Sequence, residues 1–163
     1  MDKYRIGIRI KRGLQLPFKR NWIRKVIYTA LRLEDVDYHL ELSVMLTDDS
    51  GIQRLNRRYR SIDRPTDVLS FAFMDEGGSS CQPQSSSSTE FPLPIGEIII
   101  SLPTAIRQAS ERGNTLQREM AVLLIHGTLH LLGHDHIKSR DARRMEKREE
   151  SVINSIDFNG SKL

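Results

Sequence analysis

The sequence predicts an α+β fold: a single domain, residues 1–163, with a roughly four-stranded mixed sheet covered by about five helices. Three observations carry that expectation. Apolar and polar residues alternate over 4–11 and 40–47, the period of a strand with one buried face. Longer stretches repeat their apolar residues at three and four, the period of an amphipathic helix. Between such stretches, Ile98-Ile99-Ile100 is a continuous β-branched run that suits a central strand covered on both faces.

In chain order, Tyr4, Ile6, Ile8 and Ile10 form the buried face of an opening strand. Phe18, Trp22, Ile23, Val26, Ile27, Ala30 and Leu31 mark a helix, with Trp22 read as core rather than as a base-stacking platform. Leu40, Leu42, Val44 and Leu46 give a second strand. Asp48-Asp49-Ser50 then supplies an N-cap for a short helix whose Ile52, Leu55 and Tyr59 face inward. Arg64-Pro65 ends that segment, because proline drives its predecessor out of the helical region, and Val68 to Phe73 reads as a buried strand. From Asp75 to Pro94 the chain turns to Gly, Ser, Gln and Pro, so a flexible Ser-rich loop is expected at about 75–94. Helices near Thr104–Arg112 and Leu116–Leu132 follow the isoleucine strand, and a last helix begins at Ser139 with Met145, Val152 and Ile153 on one side. The charges of that helix, Asp141, Glu146, Glu149 and Glu150 among its cations, read as a solvated face.

Composition narrows the classes of function. With 38% apolar and 28% charged residues, and no long apolar run, nothing is expected to span a membrane. The start of the chain lacks a signal peptide's apolar core, so a cytoplasmic location is expected. The single Cys81 allows no internal disulfide partner. A net charge of +4 favours an anionic partner, and the basic residues gather in two groups. One runs through Arg5, Arg9, Lys11, Arg12, Lys19, Arg20, Arg24 and Lys25; the other is Arg54, Arg57, Arg58, Arg60 and Arg64.

The densest chemical signal is His126-Gly127-Thr128-Leu129-His130-Leu131-Leu132-Gly133-His134-Asp135-His136, which holds four of the chain's 5 histidines. His126 and His130 stand one helical turn apart and can aim at one point. Gly133 sits where a helix commonly ends in a left-handed cap, so the reversed chain can bring His136 to the same ion. Three protein nitrogens leave one tetrahedral position open, the arrangement of a catalytic zinc. This HxxxHxxGxxH spacing is also that of metzincin proteases, but their glutamate after the first histidine is Gly127 here, which removes the general base of a peptidase. His134 is expected to point outward, with a fourth-ligand or proton-carrying role as its alternative.

With this cluster, the segment Leu55-Asn56-Arg57-Arg58-Tyr59-Arg60 through Asp63-Arg64-Pro65-Thr66-Asp67-Val68-Leu69-Ser70-Phe71, and Gly96-Glu97-Ile98-Ile99-Ile100-Ser101, the chain resembles the bacterial YbeY family of ribosomal RNA maturation endoribonucleases. Met145 and Glu149 fit the family's C-terminal helix. The resemblance implies a zinc-dependent endonuclease of single-stranded RNA, active in maturation of the 16S rRNA 3′ end and in ribosome quality control. Ribosomal RNA and small-subunit ribosomal proteins are the partners implied. Carried over by position, His126, His130 and His136 hold one Zn2+. Arg60 matches the family's essential arginine beside the cleft, so Arg60 and His126 are the catalytic candidates. Three departures stand out: His134 where tyrosine is common, Glu97 for an aspartate, and a longer Ser-rich loop.

The chemistry agrees. A zinc with an open position acidifies water and polarises a phosphoryl oxygen, and a guanidinium at Arg60 would clamp the phosphate as charge gathers on it. By spacing alone, Arg57 and Arg58 suit that role as well as Arg60. Asp135 is placed to orient a ligand, and no general base is evident. Two other functions remain open: a non-catalytic ribosome-assembly factor with a structural zinc, and a metzincin-like metallopeptidase.

Overall fold

The computed structural model describes residues 3–73, 91–134 and 139–158. Among them the elements are β1 (Tyr4–Ile10), α1 (Arg20–Leu33), β2 (Leu40–Thr47), α2 (Asp49–Arg60), β3 (Val68–Ala72), β4 (Leu93–Ser101), α3 (Leu102–Arg112), α4 (Leu116–Leu131) and α5 (Ser139–Asn154). The expected α+β domain is what forms: a four-stranded mixed sheet in the order β1-β2-β4-β3. β1, β2 and β4 run parallel, while β3 pairs antiparallel with β4. The Ser-rich stretch with Cys81 lies almost wholly outside the described residues; its expected end at Pro94 is already inside β4.

The isoleucine run is central, and its alternation divides the core. Ile98 and Ile100 enter the large cluster under α1, α3, α4 and α5, whereas Ile99 enters a small cluster with Ile52 of α2 and Leu69 of β3. All three are buried, as a strand between two helical layers requires. α2 therefore lies on the opposite face of the sheet from α4. Two sequence expectations change here. β3 is an edge strand with Leu69 alone fully buried, because one side of it has no neighbouring strand among the described residues. Tyr59 is 58% exposed rather than inward, since α2 ends over that edge, where its ring packs on Phe71 with centroids 5.0 Å apart. Trp22 is half-buried against Phe18, as core rather than as a platform.

Local chemistry sets the helix ends. Asp48 caps α2 by accepting from the Gly51 amide at 2.9 Å, and Ser61 closes it in a left-handed conformation. Asp49 ties α2 to the β4–α3 junction by accepting from Ser101 and Thr104, each at 2.6 Å, beside Arg107. Burial opposes ionisation of that carboxyl, but these hydrogen bonds outweigh it and hold its pKa below the usual carboxylate range. Thr115 caps α4, the helix buried on most sides at the centre of the domain. No described helix is long and apolar enough to cross a membrane.

Candidate metal centre

α4 presents two chemically different sides at its C-terminal end. Towards the sheet, a Cβ on Gly127 would stand 2.8 Å from Ile98 Cγ2, closer than side chains tolerate. Glycine is needed there for α4 to lie against β4, and an added side chain would be directed at Ile98. The position is therefore a packing position, a second reason besides the lost carboxylate against a peptidase base. On another side of α4, His126 and His130 stand one turn apart with ring centroids at 4.5 Å and Nε2 atoms 3.0 Å apart. α4 ends at Leu131; Gly133 takes φ 93°, and the His134 amide donates to the Leu129 carbonyl at 3.0 Å, so the chain reverses where the sequence predicted.

Two carboxylates that sequence reading did not assign to the site close on these histidines. Glu149 of α5 accepts from His126 Nδ1, with Oε1 at 2.5 Å, and is 21% exposed. It is not part of the solvated face. Standing four residues after Met145 and three before Val152, it shares the inward side of α5, and an acid on an apolar stripe was the available signal. With the proton of His126 on Nδ1, the Nε2 lone pair faces His130. His134, for its part, is turned inward: its Nε2 lies 2.8 Å from Glu34 Oε2, and the two side chains are 22% and 9% exposed. The outward expectation fails because Glu34, at the end of α1, gives this imidazole a partner; Arg148 stands 3.7 Å from the other oxygen.

Two imidazole nitrogens converging at 3.0 Å fit the edge of a ligand shell. Nitrogens on a tetrahedral zinc at about 2.0–2.1 Å are about 3.3 Å from one another. His136, the expected third ligand, and Asp135 lie outside the described residues, and among those described no group of three His, Cys, Asp or Glu gathers as a ligand set.

The structure separates the two basic groups. In the first, Arg5 pairs with Glu41, Arg9 with Glu97 and Lys11 with Asp48, while Arg20 and Arg24 donate to β1 carbonyls. Those five are engaged within the fold, while Arg12, Lys19 and Lys25 of the same group are exposed and make no ion pair among the described residues. In the second, Arg54, Arg57, Arg58, Arg60 and Arg64 are exposed and make no ion pair among the described residues. Arg58 instead lies over the Tyr59 ring, 5.5 Å from its centroid. Arg60 ends α2 across the sheet from the histidines. Both regions nevertheless approach the same part of β3 and β4: Tyr59 packs on Phe71, Phe71 pairs with Glu97, and Gly96 lies against Leu131.

A family model described as Endoribonuclease YbeY matches residues 10–157. A protein of Moorella thermoacetica named Endoribonuclease YbeY is 44% identical over 134 residues, covering 82% of this chain and 84% of that one. One of the same name from Heliobacterium modesticaldum is 48% identical over 124 residues, 74% of each chain. The solution structure of a Thermotoga maritima protein superposes with a TM-score of 0.59 over 96% of this chain and 99% of that chain; at 22% identity it supports the fold alone.

Proposed function

This chain belongs to the YbeY endoribonuclease family, and on that premise we propose that it is a metal-dependent endoribonuclease of single-stranded RNA. His126, His130 and His136 hold one divalent ion, zinc by the chemistry of an all-imidazole donor set. The observation that carries the reading is the pair of Nε2 atoms converging at 3.0 Å while Glu149 occupies Nδ1 of His126. His136 follows His134 by two residues, at most about 7 Å of extended chain, and His134 is itself held on Glu34. The spacing of His136 after Gly133 is what supports it as the third ligand.

A divalent ion held there supplies Lewis acidity, acidifying water and withdrawing charge from a phosphoryl oxygen. Glu149 keeps the His126 ring in one orientation. Arg60, exposed and without a partner among the described residues, closes on the phosphate from the β3 side and stabilises charge gathering on its oxygens. The processing of ribosomal RNA, including the 16S 3′ end, and a cytoplasmic location with small-subunit proteins as neighbours are the biological setting that family membership suggests.

The test presents single-stranded RNA, single-stranded DNA, duplex RNA and an unstructured peptide to the purified protein, with and without chelator. Chelator-sensitive cleavage of single-stranded RNA is expected. Peptide hydrolysis would overturn the assignment, and tight RNA binding without cleavage, with metal content verified, would point instead to an assembly factor with a structural ion.

A further inference from the structure

The sequence of α5 alternates acids and bases, but the helix sorts them. Arg140, Arg143, Arg144, Lys147 and Arg148 recur at three, four, seven and eight residues, so they share one side and together line a concavity of about 530 Å³. Glu149, Met145 and Val152 point the other way, into the domain. Of the five cations only Arg148 has a counter-ion among the described residues, Glu34 at 3.7 Å. Acids stand three residues from these cations at Asp141/Arg144, Arg143/Glu146 and Lys147/Glu150, yet no ion pair closes between them among the described residues. Cations one turn apart repel, and Arg140, Arg143 and Arg144 occupy the half where the helix dipole is already positive.

We propose that this stripe is a second contact surface for the RNA backbone, taking phosphates of the strand beyond the bond that is cut; it rests on the reading of the protein as a ribonuclease. A single small anion needs one or two of these cations. Five of them along about 12 Å of helix axis suit a chain of phosphates instead. The stripe shares its helix with a brace of the metal centre, since Glu149 on the reverse side of α5 is bonded to His126. No aromatic side chain is among the lining residues, so contact is with the backbone and independent of base sequence.

The experiment uses the full chain carrying Arg143→Gln, Arg144→Gln and Lys147→Gln together. Binding of a long and a short single-stranded RNA is followed by fluorescence anisotropy in chelator, over a range of KCl, and cleavage of the short RNA is measured separately with metal. Each phosphate contact on a single strand contributes about 0.7 to the slope of log affinity against log salt, so the slope for the long strand should become shallower by about 2. Its affinity should fall roughly ten- to fifty-fold at about 0.15 M salt, while short-RNA binding and cleavage stay unchanged. The charge-preserving variant Arg143→Lys, Arg144→Lys, Lys147→Arg should keep the wild-type slope, which separates lost charge from a disturbed helix. An unchanged slope in the glutamine variant overturns the surface. So does a loss confined to an acidic poly-glutamate peptide, which would mark a protein partner. If the wild type cleaves no RNA yet the slope shifts as stated, the ribonuclease reading falls and the surface stands.

Discussion

The histidine pair at the end of α4 and the arginines at the end of α2 are held in opposite ways. His126 is half-buried, fixed at Nδ1 by Glu149 from another helix and set against His130 at 3.0 Å. Arg60 is exposed, ends its helix next to a left-handed Ser61, and has no partner among the described residues. A metal ion demands donors within a few tenths of an ångström before it arrives, so its ligands are braced by packing and by carboxylates behind them. A phosphate clamp can wait in water, because a guanidinium keeps its charge there and loses up to about 2 kcal/mol of rotamer entropy only when it closes. The difference teaches where substitutions should be felt: ligand loss and metal affinity on the α4 side, rate alone on the α2 side.

Breaking the braced region outright should have the largest effect. His130→Ala is expected to lose most of the bound metal and all chelator-sensitive RNA cleavage; elemental analysis reads the first, and full occupancy in the variant would refute the ligand assignment. Next comes Arg60→Ala, which should leave metal content and thermal stability unchanged while lowering the cleavage rate about 10²- to 10³-fold. Arg57→Ala and Arg58→Ala should cost far less and mainly soften the salt dependence. Equal effects in all three would erase the special place of Arg60.

Glu149→Gln sharpens the contrast. It keeps the shape but loses the charge behind His126, so metal affinity should weaken about 10- to 100-fold in a chelator competition. Unaltered affinity would mean that His126 is oriented by packing alone. The smallest effect belongs to the other end of α2. Lys11, then the Gly51 amide, hold the Asp48 carboxyl down to about 2. Its folded pKa lies below the ordinary value of 3.8, so its charge stabilises fully above about pH 5, and that contribution is lost as pH falls towards about 2. Asp48 is a third exposed and therefore screened. Asp48→Asn, which retains the cap, should cost less than about 1 kcal/mol in urea unfolding at neutral pH, with the difference closing towards pH 2. A constant difference across that range would show that the charge is not responsible.

By itself the sequence determined what depends on neighbours along the chain. Period two and period 3.6 placed the strands and helices, and the capping residues around Asp48 and Gly133 bounded two of them. The spacing of four put His126 and His130 on one turn, and the isoleucine run announced the central β4. Only the tertiary structure decided what depends on which faces meet. It put β3 at an edge, which left Tyr59 in solvent, and it laid α4 against Ile98, which explains Gly127. It turned His134 inward onto Glu34, 100 residues away, and brought Glu149 to His126 across 23 residues. It also sorted the mixed charges of α5 into a cationic stripe and an inward acid. The physical reason is common to all of these: a hydrogen bond or ion pair between distant residues has no period, so composition and spacing carry its ingredients but not its partner.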